Sequence, residues 1–250
     1  MTACTSQSTL TNLTALYSPL DVEYNQAMSG PYENLSFRSE ECTVVAGLKD
    51  NQITGFWRPM VAVGEAKLLK YQIERLYSIC PNIVYMDFLV DGELNAVSKF
   101  LLGKGYKARP YYTQIIDLTN HSKSDLRKSY RSLVNKQDGV VAGGIDDYRK
   151  LHTRKVCWEQ QREIPHIGYF KRDAGVVFYY SGICAYYAAA AGDDVYPCIW
   201  LSLQQLKRMG IKYVEMGEQV FYGDEKLVNI SKFKRGFGGR TVTKFILTKD

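Results

Sequence analysis

Several motifs of common enzyme classes are missing from this 250-residue chain. No GxGxxG motif follows a candidate strand and no GxxxxGK[ST] motif occurs, which argues against dinucleotide-dependent redox chemistry and P-loop phosphoryl transfer. No GxSxG motif is present, so the sequence does not indicate an α/β-hydrolase nucleophile. The three histidines, His121, His152 and His166, lack the HxxxH or HxH spacing of a metal site, and no bound metal is expected.

Paired cysteines and long apolar runs are also missing. The six cysteines form no CxxC pair and no zinc-ligand spacing; they are Cys4, Cys42, Cys80, Cys157, Cys184 and Cys198. We therefore expect reduced thiols in a reducing, cytoplasmic compartment. No basic residue precedes Arg38 and the first 22 residues have no continuous apolar stretch, so we expect no signal peptide. No run approaches the roughly 18 apolar residues of a membrane-spanning helix, and no span is predicted.

The chain is rich in aromatic residues and modestly positive. It has 19 Tyr, 10 Phe and 3 Trp, which favours either a cleft with mixed apolar and hydrogen-bonding walls or Tyr at half-buried strand positions. Lys and Arg number 32 against 26 Asp and Glu, a net charge of +6. That balance suits an anionic ligand such as a nucleotide, coenzyme A or tRNA, and is far from that of a dedicated nucleic-acid binder.

Hydrophobic periodicity predicts strands that alternate with helices along the chain. Strands are predicted for residues 42–47, 52–57, 83–90, 111–118, 176–180, 183–190, 211–216 and 241–247. Helices are predicted for residues 64–79, 93–102, 122–136, 146–161, 199–209 and 228–234. This order predicts an α/β fold with a mixed sheet flanked by helices. The antiparallel pair at 176–190 is not the order of a doubly wound sheet.

The predicted helix 122–136 is basic. Ser122 and Asp125 resemble a capping box at its start, with Asp in place of Glu. Arg127, Lys128 and Arg131 are three or four residues apart, so in a helix they share one flank. Such a flank is either a phosphate clamp, since Arg grips phosphate bidentately, or a solvated outer face.

The closing segment, residues 226–244, has six basic residues and no acid. Gly236 and Gly238 lie in a run of three glycines within four positions, where the backbone can approach a ligand with its N–H groups free to donate. Lys234 and Arg235 precede that run. The alternative is a basic turn that leads into an edge strand.

Phe233 and Phe237 are four residues apart and are predicted to anchor this segment in the core. Lys234 or a backbone N–H then becomes a candidate donor to the oxyanion that develops when an amine is acylated. Such a donor is typically worth about 10²–10³ in rate.

Two acids are candidates for proton transfer. Glu215 and Glu218 lie at the end of a predicted strand, where active sites of open α/β sheets gather. Either could take a proton from an incoming ammonium, or be a plain surface acid. His152, in the helix predicted for 146–161, is a further candidate base or a packed side chain.

Five stretches, taken in order, resemble a known family. They are Leu126-Arg-Lys-Ser-Tyr-Arg-Ser-Leu-Val-Asn-Lys, Asp147-Tyr-Arg-Lys-Leu-His, Gly182-Ile-Cys-Ala-Tyr-Tyr-Ala-Ala-Ala-Ala, Leu206-Lys-Arg-Met-Gly-Ile-Lys-Tyr-Val-Glu-Met-Gly and Ile230-Ser-Lys-Phe-Lys-Arg-Gly-Phe-Gly-Gly. They look like the FemAB-like branch of the GNAT-like acyltransferase superfamily, and the last is the most specific match. The resemblance covers residues 115–240, and residues 30–115 only in arrangement.

The resemblance implies an acyl-donor cleft, an amine acceptor and a Lys at the reacting centre, which corresponds to Lys234. It places Arg127 and Arg131 near anionic ligand groups. Glu215 stands where the family has an acid of another type, in Val-Glu-Met-Gly instead of "fDfG". The segment between His152 and Tyr179 is shorter than in the family, and the helical arm of tRNA-using members is not evident.

We therefore predict a GNAT-like fold of two lobes, residues 1–120 and 121–250, that moves an acyl group from acyl-CoA, its co-substrate, to the amine of a small molecule such as an amino sugar or amino acid. The alternatives are aminoacyl-tRNA-dependent transfer onto a peptidoglycan precursor or peptide, and a non-catalytic binding protein. Catalytic roles are predicted for Lys234, Glu215, Glu218 and Tyr179. Donor binding is predicted for Arg127, Arg131, Arg235, Gly236 and Gly238.

Overall fold

The computed structural model describes residues 31–56, 58–89, 92–151 and 164–249. The chain divides into two compact units. Unit 1 comprises Met1–Tyr111 with Thr243–Asp250, and unit 2 comprises Tyr112–Val242. The assignment of residues 1–120 and 121–250 to two GNAT-like lobes stays a prediction.

Unit 1 contains short strands and two helices. Its strands are β1 (Glu33–Asn34), β2 (Phe37–Arg38), β3 (Cys42–Val45), β4 (Gly47–Lys49), β5 (Gln52–Thr54), β6 (Val61–Gly64) and β7 (Tyr85–Asp87). Its helices are α1 (Ala66–Ile79) and α2 (Ala96–Gly103). β1, β4 and β5 form one antiparallel sheet and β2, β3 and β6 a second. The core of this unit buries Leu69, Ile73 and Leu76, the apolar stripe of the helix predicted for 64–79.

Unit 2 contains the larger part of a mixed sheet. β8 (Lys107–Asp117) enters it from unit 1, and β14 (Arg240–Thr248) leaves it. Its other strands are β9 (Val141–Gly143), β10 (His166–Lys171), β11 (Ala174–Ser181), β12 (Cys184–Ala191) and β13 (Tyr213–Glu218). Its helices are α3 (Tyr130–Leu133), α4 (Ile145–Leu151), α5 (Tyr196–Arg208) and α6 (Glu225–Arg235).

The strand order in unit 2 is β8-β13-β12-β11-β10-β9. The neighbours pair antiparallel except β12 and β13, which run parallel because α5 crosses between them. Helix α5 covers one face of the sheet and buries Ile199, Leu203 and Leu206 against Phe178 and Val214. The mixed α/β sheet flanked by helices is therefore the architecture predicted from the alternation of elements.

The prediction of one continuous basic helix over residues 122–136 is wrong. The capping box is present. The Ser122 side chain accepts from the backbone, and the Asp125 carboxylate accepts from the Ser122 N–H. It opens only a 3₁₀ turn, Lys123–Asp125, because Leu126 is extended and the Arg127 N–H donates to Gly236 O at 2.8 Å. The backbone bond to a residue far along the chain replaces an intrahelical one, and a helix resumes only as α3.

Two further differences concern element bounds. The strand predicted for 83–90 is limited to β7, since Leu89 has a φ of 52° and cannot continue an extended strand. Strands β1, β2, β6, β9 and β10 were not predicted. The helix predicted for 146–161 is α4 over Ile145–Leu151, and the rest of that prediction lies outside the described residues. None of the described helices combines the length and apolar character needed to cross a membrane.

Candidate active site

The parallel strands β12 and β13 separate near the middle of the sheet. Their ladder has three residue pairs, Cys184 with Tyr213, Ala185 with Val214, and Tyr186 with Glu215. Both strands are described in full and continue beyond the last pair, β12 to Ala191 and β13 to Glu218, without further pairing between them. A cleft therefore opens between the carboxyl ends of two neighbouring strands, a position where α/β sheets commonly bind ligands.

A bulge in β13 shapes one wall of this cleft. The register of β13 against β8 shifts between Glu215 and Gly217, so that Glu215 pairs with Ile115 and Gly217 with Gln114. Gly217 has a φ of +82°, a conformation that residues with a Cβ rarely adopt. A Cβ added there would lie 3.4 Å from the Nζ of Lys234.

Lys234 reaches the cleft from the last turn of α6. Its side chain is half-buried, and its Nζ lies 5.3 Å from the centroid of the Tyr187 ring, within cation–π range. Burial lowers the pKa of Lys234, while the charges of Glu218 and Glu215 act in the opposite direction. The ammonium is thus held beside the sheet and is partly stripped of water, which strengthens its interaction with any anion that forms there.

Helix α6 is held by contacts with the segment that precedes α3. The Nη2 of Arg127 donates to Lys232 O at 2.9 Å and the hydroxyl of Tyr130 to Phe233 O at 3.3 Å. Phe237, just past the helix, is fully buried, as predicted. These contacts fix the end of the helix that carries Lys234.

Glu215 lies at the base of the cleft. It is 5% exposed, its Oε1 accepts from the Thr113 hydroxyl at 2.7 Å, and its Oε2 accepts from the Tyr186 hydroxyl. The carboxylate is therefore oriented by two hydroxyl donors from the strands on either side. Glu218, in contrast, is exposed at the end of β13.

Tyr186 was not among the candidate residues that the sequence indicated. It occupies the β12 position paired both with Tyr179 on β11 and with Glu215 on β13. Tyr179 is buried and pairs in turn with His166 on β10, with ring centroids 6.2 Å apart. His166, Tyr179, Tyr186 and Glu215 thus form one row across four adjacent strands and share a face of the sheet. The resemblance motif around 182–191 contains Tyr186 and was the available signal.

The two arginines predicted to clamp a phosphate are engaged by backbone. Besides its bond to Lys232 O, the Arg127 guanidinium lies 5.2 Å from the Tyr130 ring centroid. Arg131 donates from Nε to Leu126 O at 3.2 Å and from Nη2 to Ser124 O at 2.7 Å. Their contribution to donor binding stays a prediction, although the single helical flank assumed for them does not exist.

The glycines near the end of α6 lie close to neighbouring groups. A Cβ on Gly236 would lie 2.1 Å from the Tyr130 ring, and one on Gly238 would lie 3.0 Å from Asp125 O. Arg235 donates to Gln219 Oε1 at 3.0 Å. Close packing accounts for glycine at positions 236 and 238. Ligand binding by Gly236, Gly238 and Arg235 stays a prediction.

Acidic residues precede helix α5, where β12 ends. Asp193 is exposed, and the Oδ2 of Asp194 lies 3.0 Å from the Nζ of Lys171. Negative charge at a helix N-terminus complements the helix dipole. The same charge opposes an anionic ligand group at that position.

His152 lies outside the described residues. Among those described, no group of three or more His, Cys, Asp or Glu side chains is arranged to hold a metal ion.

No protein-family model and no curated relative matches the chain. Solved structures do match. FemX superposes with a TM-score of 0.67 at 10% identity, over 91% of this chain and 90% of that chain. The L-PGS from Bacillus licheniformis superposes with a TM-score of 0.59 at 12% identity, over 93% and 92%. The C-terminal domain (DUF2156) of an Agrobacterium fabrum protein described as a lysylphosphatidylglycerol synthetase gives 0.61 at 11%, over 93% and 92%.

At these identities the similarity shows the fold. The mixed sheet flanked by helices is the GNAT-like acyltransferase fold in the form that FemX has, and the fold class predicted from the sequence is confirmed. The roles predicted for individual residues stay predictions.

Proposed function

We propose that this chain transfers an acyl group from an activated donor to a primary amine in the cleft between β12 and β13. The observation that carries the proposal is the position of the Lys234 Nζ, beside Gly217 and over Tyr187, where the two strands diverge. A half-buried cation, a buried acid and an open seam in the sheet are the parts that amine acylation needs.

The cleft would align the reactants. Beyond Tyr186, the edge of β12 that faces β13 pairs with no strand among the described residues, so its backbone N–H and C=O groups are available to an extended donor. Holding the acyl carbon and the amine in this geometry supplies the largest share of the rate enhancement, because well-oriented reactions reach effective molarities of about 10⁵–10⁸ M.

In the chemical step the amine nitrogen attacks the acyl carbon. The C–N bond forms, the carbonyl oxygen becomes an oxyanion, and the bond to the leaving group then breaks. The ammonium group of Lys234 stabilises the oxyanion. The ammonium of the acceptor loses one proton to the Glu215 carboxylate through the Tyr186 hydroxyl, or directly to Glu218, before the nitrogen attacks. The nitrogen loses a second proton once the C–N bond has formed, and the leaving group takes up that proton as it departs.

We propose acyl-CoA as the donor and the amine of a small molecule as the acceptor. A second candidate donor is an aminoacyl-tRNA. Asp193 and Asp194 at the start of α5 oppose phosphate at this helix N-terminus, so they favour a donor whose phosphates lie elsewhere, and an aminoacyl-tRNA, whose acyl group is carried on a ribose, can be such a donor.

The donor is tested by a thermal-shift panel of acetyl-CoA, longer acyl-CoAs and an aminoacyl-tRNA, since a ligand of the native state raises Tm by mass action. The donor that stabilises the chain is then used in single-turnover transfer to a panel of amines. Lys234→Met should abolish most transfer, and Lys232→Met, which changes an exposed lysine of the same helix, should not. If no donor stabilises the chain, the proposal fails.

A further inference from the structure

A second pocket lies at the opposite end of β13 from the cleft. It has a volume of about 440 Å³, and all of its lining residues belong to unit 2. Tyr213 marks this end of β13 and Gly217 marks the cleft. The two are four residues apart, or roughly 13 Å along an extended strand. The pocket is therefore separate from the proposed reacting centre.

Three charged side chains line this pocket: Asp117, Asp125 and Arg240. The Asp125 carboxylate accepts from the Ser122 N–H at 2.8 Å and from the Ser122 hydroxyl at 3.1 Å, whereas Asp117 and Arg240 do not neutralise each other. Asp117 and Arg240 are both exposed, and in the part of the chain that the structure describes neither has an ion-pair partner. Asp117 uses Oδ1 to accept from the Thr119 N–H at 2.9 Å, which leaves Oδ2 for another donor. Burial and the charge of Asp117 raise the pKa of Tyr213, whereas Arg240 lowers it, so both charges act at the Tyr213 hydroxyl.

His121 forms a buried part of the wall. It is 6% exposed, and its Nε2–H donates to Phe237 O at 2.8 Å. Burial lowers the pKa of His121, while the bond to Phe237 and the charge of Asp125 act in the opposite direction. The Nδ1 atom is buried and has no hydrogen-bond partner among the described residues, so the groups that a ligand can contact belong to the other lining residues.

Bare backbone forms another part of the wall. Gly239 has a φ of +84°, and a Cβ there would lie 2.2 Å from Ile115 O. The Gln114 side chain donates to Gly238 O at 2.6 Å and accepts from the Thr241 hydroxyl at 3.1 Å, which fixes the turn that leads to Arg240. Arg240 therefore projects from an ordered turn and not from a free loop.

We propose that this pocket binds a small zwitterion with one ammonium and one carboxylate group, the chemistry of a free α-amino acid. The ammonium lies at Asp117 and the carboxylate at Arg240. A charge pair left open in one pocket matches such a ligand at both ends, whereas a simple amine or a simple carboxylate matches only one. The inference is independent of the acyl-transfer proposal.

The test measures binding of L-alanine and L-lysine to the intact chain by calorimetry, with acetate and ethylamine as half-ligands. Asp117→Asn and Arg240→Gln should each weaken binding of the amino acid about ten-fold or more, because each removes a charged hydrogen-bond partner. The matched controls Asp138→Asn and Lys212→Gln, which change exposed charges outside the pocket, should bind as the wild type does. Lys234→Met should also leave this affinity unchanged.

Three results would overturn the inference. The first is no saturable binding of either amino acid. The second is binding that Asp117→Asn and Arg240→Gln leave intact, which puts the ligand elsewhere. The third is acetate or ethylamine binding as tightly as L-alanine, which removes the need for both charges.

Discussion

The Tyr186 hydroxyl donates to Oε2 of Glu215 across the last rung of the ladder that joins β12 to β13. The two residues therefore sit where the strands separate, one on each side of the seam. Their hydrogen bond joins the closed part of the sheet to the open cleft, and it fixes the orientation of the buried carboxylate.

The first prediction concerns this pair. Tyr186→Phe removes one hydroxyl donor from a buried carboxylate, so we expect a loss of about 1–3 kcal/mol in the free energy of unfolding. If protons leave the amine through Tyr186, kcat should also fall, by about 10² or more. Urea unfolding and single-turnover transfer measure the two effects.

Tyr180→Phe is the control, since this neighbouring β11 tyrosine is only half-buried and lies outside the row that contains Glu215. Transfer at the wild-type rate in Tyr186→Phe would remove Tyr186 from the proton path and leave Glu218 as the candidate.

The second prediction separates activity from stability at Lys234. Lys234→Met should lower kcat/KM by about 10²–10³, because the oxyanion loses its cation. The same change should leave Tm unchanged or raise it, because the fold no longer holds a partly desolvated ammonium. Lys232→Met should alter neither quantity.

The pH dependence has a definite sign. The pKa of Lys234 in the folded chain is lower than the usual 10.5. At pH values between the folded-state pKa and 10.5, the unfolded chain therefore binds more protons than the folded chain. The free energy of unfolding contributed by Lys234 therefore rises with pH through that interval and is smallest below it. The difference between wild type and Lys234→Met, measured by urea unfolding from neutral to alkaline pH, should narrow as pH rises. A difference independent of pH would contradict the burial of this ammonium.

The third prediction concerns the bulge. Gly217→Ala forces a residue with a Cβ into a left-handed conformation, at a cost of about 1–2 kcal/mol. It also places a methyl group in van der Waals contact with the Lys234 Nζ, at 3.4 Å, which covers one side of the ammonium, so transfer should slow.

Gly210→Ala is a matched control for this change. Gly210 has a φ of +85°, and a Cβ there would meet nothing within 4 Å. Both variants should lose similar stability in urea unfolding, and Gly217→Ala alone should lose activity. Equal activity in the two variants would mean that Lys234 does not depend on this contact.

The fourth prediction concerns the donor. If the diphosphate of acyl-CoA lies at the start of α5, Asp193→Asn should tighten acyl-CoA binding by about two- to five-fold, through the interaction of the anion with the helix dipole. Asp173→Asn, an exposed acid in the turn between β10 and β11, is the control. Calorimetry provides the affinities, and unchanged binding in Asp193→Asn would move the diphosphate away from this helix.

Salt dependence distinguishes the second candidate donor. A tRNA whose phosphates are neutralised by several Lys or Arg residues should show log K falling with log salt at a slope of about −0.7 to −0.9 for each contact. Acyl-CoA should show a much shallower slope. Filter binding or fluorescence anisotropy across a salt series makes the comparison.

Local patterns in the sequence predicted the parts of the structure that depend on local physics. The apolar spacing around Leu69 and Leu76 predicted α1, and the phenylalanine spacing predicted the burial of Phe237.

What the sequence could not reveal depends on pairing between distant segments. Tyr186 becomes part of the candidate site through the register that sets it opposite Glu215, and no local pattern encodes that register. The interrupted helix at 122–136 has the same origin, because the Arg127 N–H bonds to Gly236 O, more than a hundred residues later. Strand β10 was missed because Gly168 weakens its alternating pattern.

The shortness of the β12–β13 ladder has a consequence for how this scaffold can diversify. A ligand chain that binds beyond the Tyr186–Glu215 pair breaks no existing interstrand hydrogen bond, so its binding leaves the rest of the sheet unchanged. The wall of the cleft at this point is main chain, whose hydrogen bonds do not depend on the side groups of the ligand. Substitutions along the rim can then alter which molecule is admitted without any rebuilding of the core beneath.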